Sequence, residues 1–436
     1  MQKIEHTSHA GINFEPNKKL GYYLVGNGIY YNKIQALIEA SKKNLKVKWF
    51  FNEDVFVKYP WHIEPEESLR ELYRQRAQQL RDQYDYIRLE LSGGSDSTTV
   101  AYSFLLNNIH LDEVVFRYPK TGERGVTGDP SNTRTENTLS EWEFAAKPLL
   151  NWIATNYPKT KITVHDYSED MIAEADTKDE SWIFRTRHYL QPGHIHKFDD
   201  RHILKHRRQI DRTNKMCLLY GVDKPKIFIK DNKFFFYFQD GLASYTNEIA
   251  AETSGVVNEF FYWAPECTKL IAKQAHEVKR WFAMPQNYQF MSSTLQWPND
   301  DFAKRTLYES LVKRIVYPDY DFHTFQTAKP TNNIYNEMDH WFHVNFKDTQ
   351  LYGSWEAGIG YLLDNIDSRF ISQDIRGRTD NIEMFSSIYY YFGDVAIDKT
   401  ISPNAGFKTK SVIKESRKAW LASQYRYCIH GKIIIY

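Results

Sequence analysis

Residues 86–108 hold an apolar-rich run, then Ser92-Gly93-Gly94-Ser95-Asp96-Ser97, then an amphipathic run. Residues 86–91 read as a strand. Residues 97–108 read as a helix with Val100, Ala101, Phe104 and Leu105 on its inner face. Two glycines between a strand and a helix permit a tight turn that a Cβ would obstruct. Such a turn leaves the backbone N–H groups of Gly94, Ser95 and Asp96 unpaired and converging. The following helix adds its own N-terminal donors and the positive end of its dipole, so the junction suits a phosphate. The hydroxyls of Ser92, Ser95, Ser97 and Thr98 can add donors. The spacing is neither that of a Walker loop nor that of a dinucleotide-binding GxGxxG turn.

The strand–helix alternation continues downstream. Residues 114–118, 161–167 and 216–220 read as strands. Ser140 and Glu143 form a capping box for a helix running to residue 156. Pro148 either bends or ends that helix or opens its second segment. Residues 200–213 read as a charged helix. This order predicts an α/β fold with a parallel, doubly wound sheet over residues 81–240. One strand fits poorly: Arg88 and Glu90 alternate with Ile87, Leu89 and Leu91, whereas a strand covered on both faces is apolar throughout. Residues 1–80 read as a small N-terminal α/β cap ending in a helix over 67–84. Residues 226–229 and 234–238 flank Asp231-Asn232 as a hairpin. Residues 241–436 are expected to form a mostly helical, aromatic-rich substrate domain, with a helix over 266–282.

The run Ser92-Gly93-Gly94-Ser95-Asp96-Ser97 resembles the SGGxDS signature of PP-loop (N-type) ATP pyrophosphatases. That group includes the synthetase domain of asparagine synthetase, β-lactam synthetase, GMP and NAD synthetases, 7-cyano-7-deazaguanine synthase and tRNA-modifying enzymes. The similarity is strong in the loop and extends as a pattern over residues 67–225, most like the asparagine synthetase C-terminal domain. It implies a HUP, adenine nucleotide alpha hydrolase-like fold, with ATP and Mg²⁺ as cofactors and cleavage of ATP between the α and β phosphates. Carried over by position, Gly93, Gly94, Ser95 and Ser97 hold pyrophosphate, Ser92 contacts phosphate, and Asp96 helps place Mg²⁺ or orients the loop. Thr98, Arg117 and Tyr118 are counted with the nucleotide-binding set. No N-terminal amidotransferase cysteine is present, so glutamine hydrolysis within this chain is not expected.

Asp223 and Lys224 follow the strand 216–220 in a loop bounded by Gly221 and Pro225. At the carboxyl edge of a parallel sheet such a loop faces the ligand crevice. There Lys224 could stabilise charge on departing pyrophosphate and Asp223 could ligate Mg²⁺; otherwise the segment is a surface turn.

The net charge of +1 argues against a general polyanion binder, so nucleic acid would need a local patch. Residues 185–215, with nine Lys/Arg, three Asp and five His, could be that patch, although a solvated helix face is the favoured reading. There His194 and His196 form an HxH, and His202 and His206 stand four apart on a helix, so a zinc site is conceivable, although no carboxylate or cysteine set stands at a convincing spacing. Cys217, Cys267 and Cys428 are widely spaced with no CxxC pair, which fits a reduced, cytoplasmic setting. No run reaches the length of a membrane span. The loop 119–137, with Lys120, Arg124 and Arg134, reads as a lid or a connection. Lys273, Gln274 and His276 are substrate contacts or a helix's polar face.

The expected function is that of an ATP-dependent ligase. It adenylates a carboxylate or carbonyl oxygen of a small acceptor and transfers the group to ammonia or an amine. The alternatives are a nucleobase- or tRNA-modifying enzyme of the same superfamily, an adenylyl-sulfate reductase-like protein using Cys428, or a nucleotide-binding regulatory protein without turnover.

Overall fold

The computed structural model describes residues 17–121, 141–179, 182–185, 190, 215–241, 256–284, 287, 295, 311–322, 337–373 and 379–395. An antiparallel sheet opens the chain: β1 (Tyr22–Val25), β2 (Gly28–Tyr30) and β3 (Val47–Phe50), in the order β2-β1-β3. Helix α1 (Lys33–Lys42) follows β2, with the Asn32 side chain accepting from Gln35 N. Two further helices, α2 (Glu53–Phe56) and α3 (Leu69–Gln83), lead into the central sheet.

That sheet has five strands: β4 (Tyr86–Leu91), β5 (Glu113–Tyr118), β6 (Lys161–Asp166), β7 (Met216–Tyr220) and β10 (Val256–Phe260). All are parallel, in the order β10-β7-β4-β5-β6. The chain winds outward from β4 through β5 to β6, then returns to the other side of β4 for β7 and β10. This is a doubly wound α/β order, and its direction reverses between β4 and β7. In such sheets ligands bind outside the carboxyl ends of the strands at that reversal.

Helix α4 (Ser95–Leu105) packs between β4 and α3. It begins two residues before the expected start and ends before Asn108, which takes φ +56°. The strand expected over 161–167 stops at Asp166, whose carboxylate accepts from Ser168 N at 3.1 Å and caps α6 (Tyr167–Ala173). Helix α5 (Lys147–Asn156) carries Pro148 in its first turn, so the proline opens a segment, and a π-helical turn over Trp142–Ala146 precedes it. Ser140 of the expected capping box, and residues 200–213, lie outside the described residues.

The polar alternation of β4 has a physical resolution. On that face, Glu90 Oε1 lies 3.3 Å from both Arg88 Nε and Arg117 Nη2. Arg88 sits opposite Glu113 in the β4–β5 register. Glu113 accepts from Thr163 Oγ1 at 2.6 Å and pairs with Lys161 at 3.1 Å. Burial raises the Glu113 pKa, but Arg88, Thr163 and Lys161 outweigh it and hold the carboxyl below its ordinary value. The sheet face is charged and paired rather than apolar, which buried ionic groups require.

The expected hairpin is present as β8 (Lys226–Lys230) and β9 (Lys233–Tyr237). Asp231 and Asn232 take φ of 51° and 56°, as the two-residue turn with positive φ at both positions demands. β11 (Ile371–Gln373) and β12 (Thr379–Ile382) pair antiparallel, β9 also pairs with β13 (Tyr390–Asp394), and β10 joins the parallel sheet. The boundary expected near residue 241 therefore falls between strands that share sheets. Aromatic contacts join these parts: Phe51 and Phe56 meet Phe238, and Phe238 meets Trp263 and Tyr390. Helix α7 (Trp182–Arg185) packs on α1, and α8 (Thr268–Phe282) packs on α3; an expected start at Glu266 becomes a 3-10 turn over Pro265–Cys267. Among the described residues no helix is long and apolar enough to cross a membrane.

Candidate functional site

The glycine pair lies at the carboxyl end of β4, and the loop 221–225 at the carboxyl end of β7, so both flank the reversal point of the sheet. Gly93 takes φ +76°, and a Cβ there would stand 2.9 Å from Ala146 N. Gly94 is the N-cap of α4 and supplies no side-chain cap. The first intrahelical bond of α4 runs from Thr98 N to Gly94 O at 3.0 Å. The N–H groups of Ser95, Asp96 and Ser97 therefore lack an intrahelical acceptor and are the donors an anion would meet.

The serine and threonine hydroxyls shape the loop. Ser97 Oγ accepts from Ser92 N at 3.0 Å and lies 3.1 Å from Ser92 Oγ. Ser92 Oγ in turn accepts from Gly94 N at 3.3 Å. Thr98 Oγ1 donates to Gly93 O at 3.3 Å, and Thr98 is fully buried. Thr98 and Ser97 thus brace the turn with their hydroxyls, and the donors left to a ligand are mainly backbone N–H groups.

Asp96 and the second loop converge on one ammonium. Lys224 Nζ lies 2.7 Å from Asp223 Oδ1 and 3.7 Å from Asp96 Oδ1. Asp223 Oδ1 also accepts from Lys224 N at 2.8 Å, and Lys226 Nζ approaches Asp223 Oδ2 at 3.6 Å. The Lys224 side chain is 5% exposed while Asp96 and Asp223 are 25% and 30% exposed, so the lysine sits beneath two carboxylates that reach the opening.

Arg117 and Tyr118 close β5. Arg117 is tied to Glu90, and the buried Tyr118 ring stacks on Trp142 at 4.9 Å. The Tyr118 ring is thus engaged with Trp142. The candidates on α8 also point inward. Lys273 donates to Glu64 and Pro65 O, Gln274 to Tyr73 Oη, and His276 Nε2 meets Trp61 O at 2.8 Å. These are inter-element ties rather than substrate contacts or a solvated polar face. His194, His196, His202, His206, Arg124 and Arg134 lie outside the described residues, as does Cys428.

Three tyrosines that the sequence reading did not single out for the site reach the loop. Tyr262 Oη donates to Asp96 O at 2.7 Å, Tyr317 Oη to Asp96 Oδ1 at 2.5 Å and Tyr320 Oη to Gly93 O at 3.2 Å. They lie more than 160 residues along the chain from the loop they touch, and no local pattern links them to it. The only sequence signal is aromatic clustering around Tyr262-Trp263 and in Tyr317-Pro318-Asp319-Tyr320.

The donor set fits Mg²⁺ only together with a nucleotide. Among the described residues no group of three or more His, Cys, Asp or Glu gathers to hold a metal. Mg²⁺ characteristically takes one or two carboxylates and completes its shell with phosphate oxygens and water. Asp96 and Asp223, which both approach the Lys224 ammonium, supply two carboxylates of that chemical kind. Compared with known protein families and with curated proteins, the chain matches none.

Proposed function

We propose that the chain is an AMP-forming, ATP-dependent ligase with a HUP-type, PP-loop nucleotide domain. The observation that carries this reading is the juxtaposition of three uncapped N–H groups at the start of α4 with Asp96, Asp223 and Lys224. These features meet at the reversal point of a parallel sheet, where such folds take ligands.

In this reading the N–H groups of Ser95, Asp96 and Ser97 receive the β and γ phosphates. The loop has no Walker lysine to pair with the β and γ phosphates and favour attack at the γ position. It is suited instead to holding a departing pyrophosphate as one unit. A carboxylate or carbonyl oxygen of the acceptor attacks the α-phosphorus, and the bond from the α-phosphorus to its bridging oxygen breaks. Ammonia or an amine then attacks the activated carbon, loses a proton, and AMP leaves with the acceptor's oxygen. Lys224, held between Asp223 and Asp96, is positioned to balance charge on the pyrophosphate. Bound Mg²⁺, ligated by Asp96 and Asp223, would spread the same charge.

Thiol chemistry gains no support from the described cysteines. Cys217 and Cys267 are buried, and burial pushes both thiols up, so neither is poised as a thiolate. This weighs against a sulfur-transferring relative.

The test is turnover of α-labelled ATP with pooled small-molecule carboxylates and amines, with nucleotides separated by chromatography. The expected product is AMP with pyrophosphate, and Asp96→Asn, whose amide oxygen can still accept from Tyr317, abolishes it while the thermal midpoint stays close to wild type. Formation of ADP and orthophosphate would overturn the reaction class.

A further inference from the structure

We propose that Tyr317 is a positioning residue for Asp96, fixing one carboxylate oxygen so that the other faces the divalent cation accompanying the nucleotide. The inference rests on the nucleotide-binding reading above.

The geometry is asymmetric. Asp96 Oδ1 accepts from Tyr317 Oη at 2.5 Å and lies 3.7 Å from Lys224 Nζ. Oδ2 makes no hydrogen bond or ion pair among the described residues, and the side chain is 25% exposed. One oxygen is thus anchored inside and the other is left for a ligand. The Asp96 main chain is held as well, because its carbonyl accepts from Tyr262 Oη at 2.7 Å.

The donor itself is rigid. Tyr317 is fully buried, and its ring meets that of Tyr262 at 5.6 Å. Its chain neighbour is clamped too. Tyr73 Oη, on α3, donates to Val316 O at 2.5 Å and accepts from Gln274 Nε2, on α8, at 3.1 Å. Two helices behind the loop therefore set where the Tyr317 hydroxyl stands. Hydrogen-bonded partners of a metal-ligating carboxylate fix its orientation, and their loss characteristically costs 10–100-fold in metal affinity or activity.

Tyr317→Phe removes the hydroxyl and keeps the ring. The experiment measures Mn²⁺ affinity by electron paramagnetic resonance, with saturating α,β-methylene ATP. The expected result is roughly 10–100-fold weaker Mn²⁺ binding. Metal-free analogue affinity should be unchanged, and lost turnover should be restored by raised metal. A purely structural role would weaken both affinities together, and that outcome, or wild-type Mn²⁺ affinity in the variant, overturns the proposal. If Tyr317→Phe does not fold, Tyr73→Phe removes the clamp on Val316 instead. It should weaken Mn²⁺ binding in the same direction, and unchanged affinity there overturns the proposal equally. A wild-type protein that binds neither analogue nor Mn²⁺ would remove the nucleotide reading as well, which separates the two failures.

Discussion

Gly221 and Ser97 touch backbone to backbone: a Cβ on Gly221 would stand 3.0 Å from both Cα and N of Ser97. This contact locks the loop after β7 against the first turn of α4. It explains how Lys224, which follows β7, comes to lie beside Asp96, which follows β4: the two strands are three apart in chain order but adjacent in the sheet.

Glycine substitutions should therefore separate by position. Gly221→Ala and Gly93→Ala meet backbone atoms, and Gly93 also has φ +76°. Each is expected to destabilise by about 1–3 kcal/mol and to abolish nucleotide binding. In Gly94→Ala the new Cβ meets only the Ser92 hydroxyl, at 3.3 Å, and φ is −72°. Its cost should be under about 1 kcal/mol, since a small side chain can rotate away. Urea unfolding measures all three, and equal costs would contradict the account.

Much of this region was legible in the sequence because its signals are local. A glycine pair between a period-2 run and a period-3.6 run defines strand, turn and helix without tertiary information. Asp223 and Lys224 could be placed at the same crevice because a parallel sheet delivers its strand ends to one edge. The tyrosines were not legible, since Tyr262, Tyr317 and Tyr320 reach the loop only through tertiary packing. The pairing of β13 with β9 was hidden for the same reason: it joins residues more than 150 positions apart in the chain. Arg88 and Glu90 looked wrong for a central strand because charge pairing across strands cannot be read from one strand alone.

The edge strand β10 brings in a second stability test. Glu259 is buried, accepts from Tyr84 Oη at 2.6 Å and lies 3.5 Å from Arg76 Nη2. Arg76 is itself buried and also donates to the Phe260 and Phe261 carbonyls at 2.9 and 3.1 Å. Glu259→Ala leaves an uncompensated buried guanidinium, and a loss of about 3–5 kcal/mol is expected. Denaturant midpoints measure it; a loss under about 1 kcal/mol would show that the pair contributes little.

His276 predicts a pH dependence. Burial, with Lys279 and Lys273 nearby, lowers its pKa below 6.5, against the opposing effects of the Trp61 carbonyl bond and Glu64. The folded state therefore resists protonation more than the unfolded state does. The His276 contribution is fully present above 6.5 and is lost as pH falls through the folded value. His276→Gln should flatten stability between about pH 7.5 and pH 5 relative to wild type. Urea titrations at several pH values check this, and an unchanged difference across that range would contradict it.

The most direct measurement is a crystal structure with α,β-methylene ATP and Mg²⁺. The account predicts phosphate oxygens within hydrogen-bond distance of Ser95, Asp96 and Ser97 N, with the cation on Asp96. Analogue bound elsewhere, with no anion at the start of α4, would contradict it.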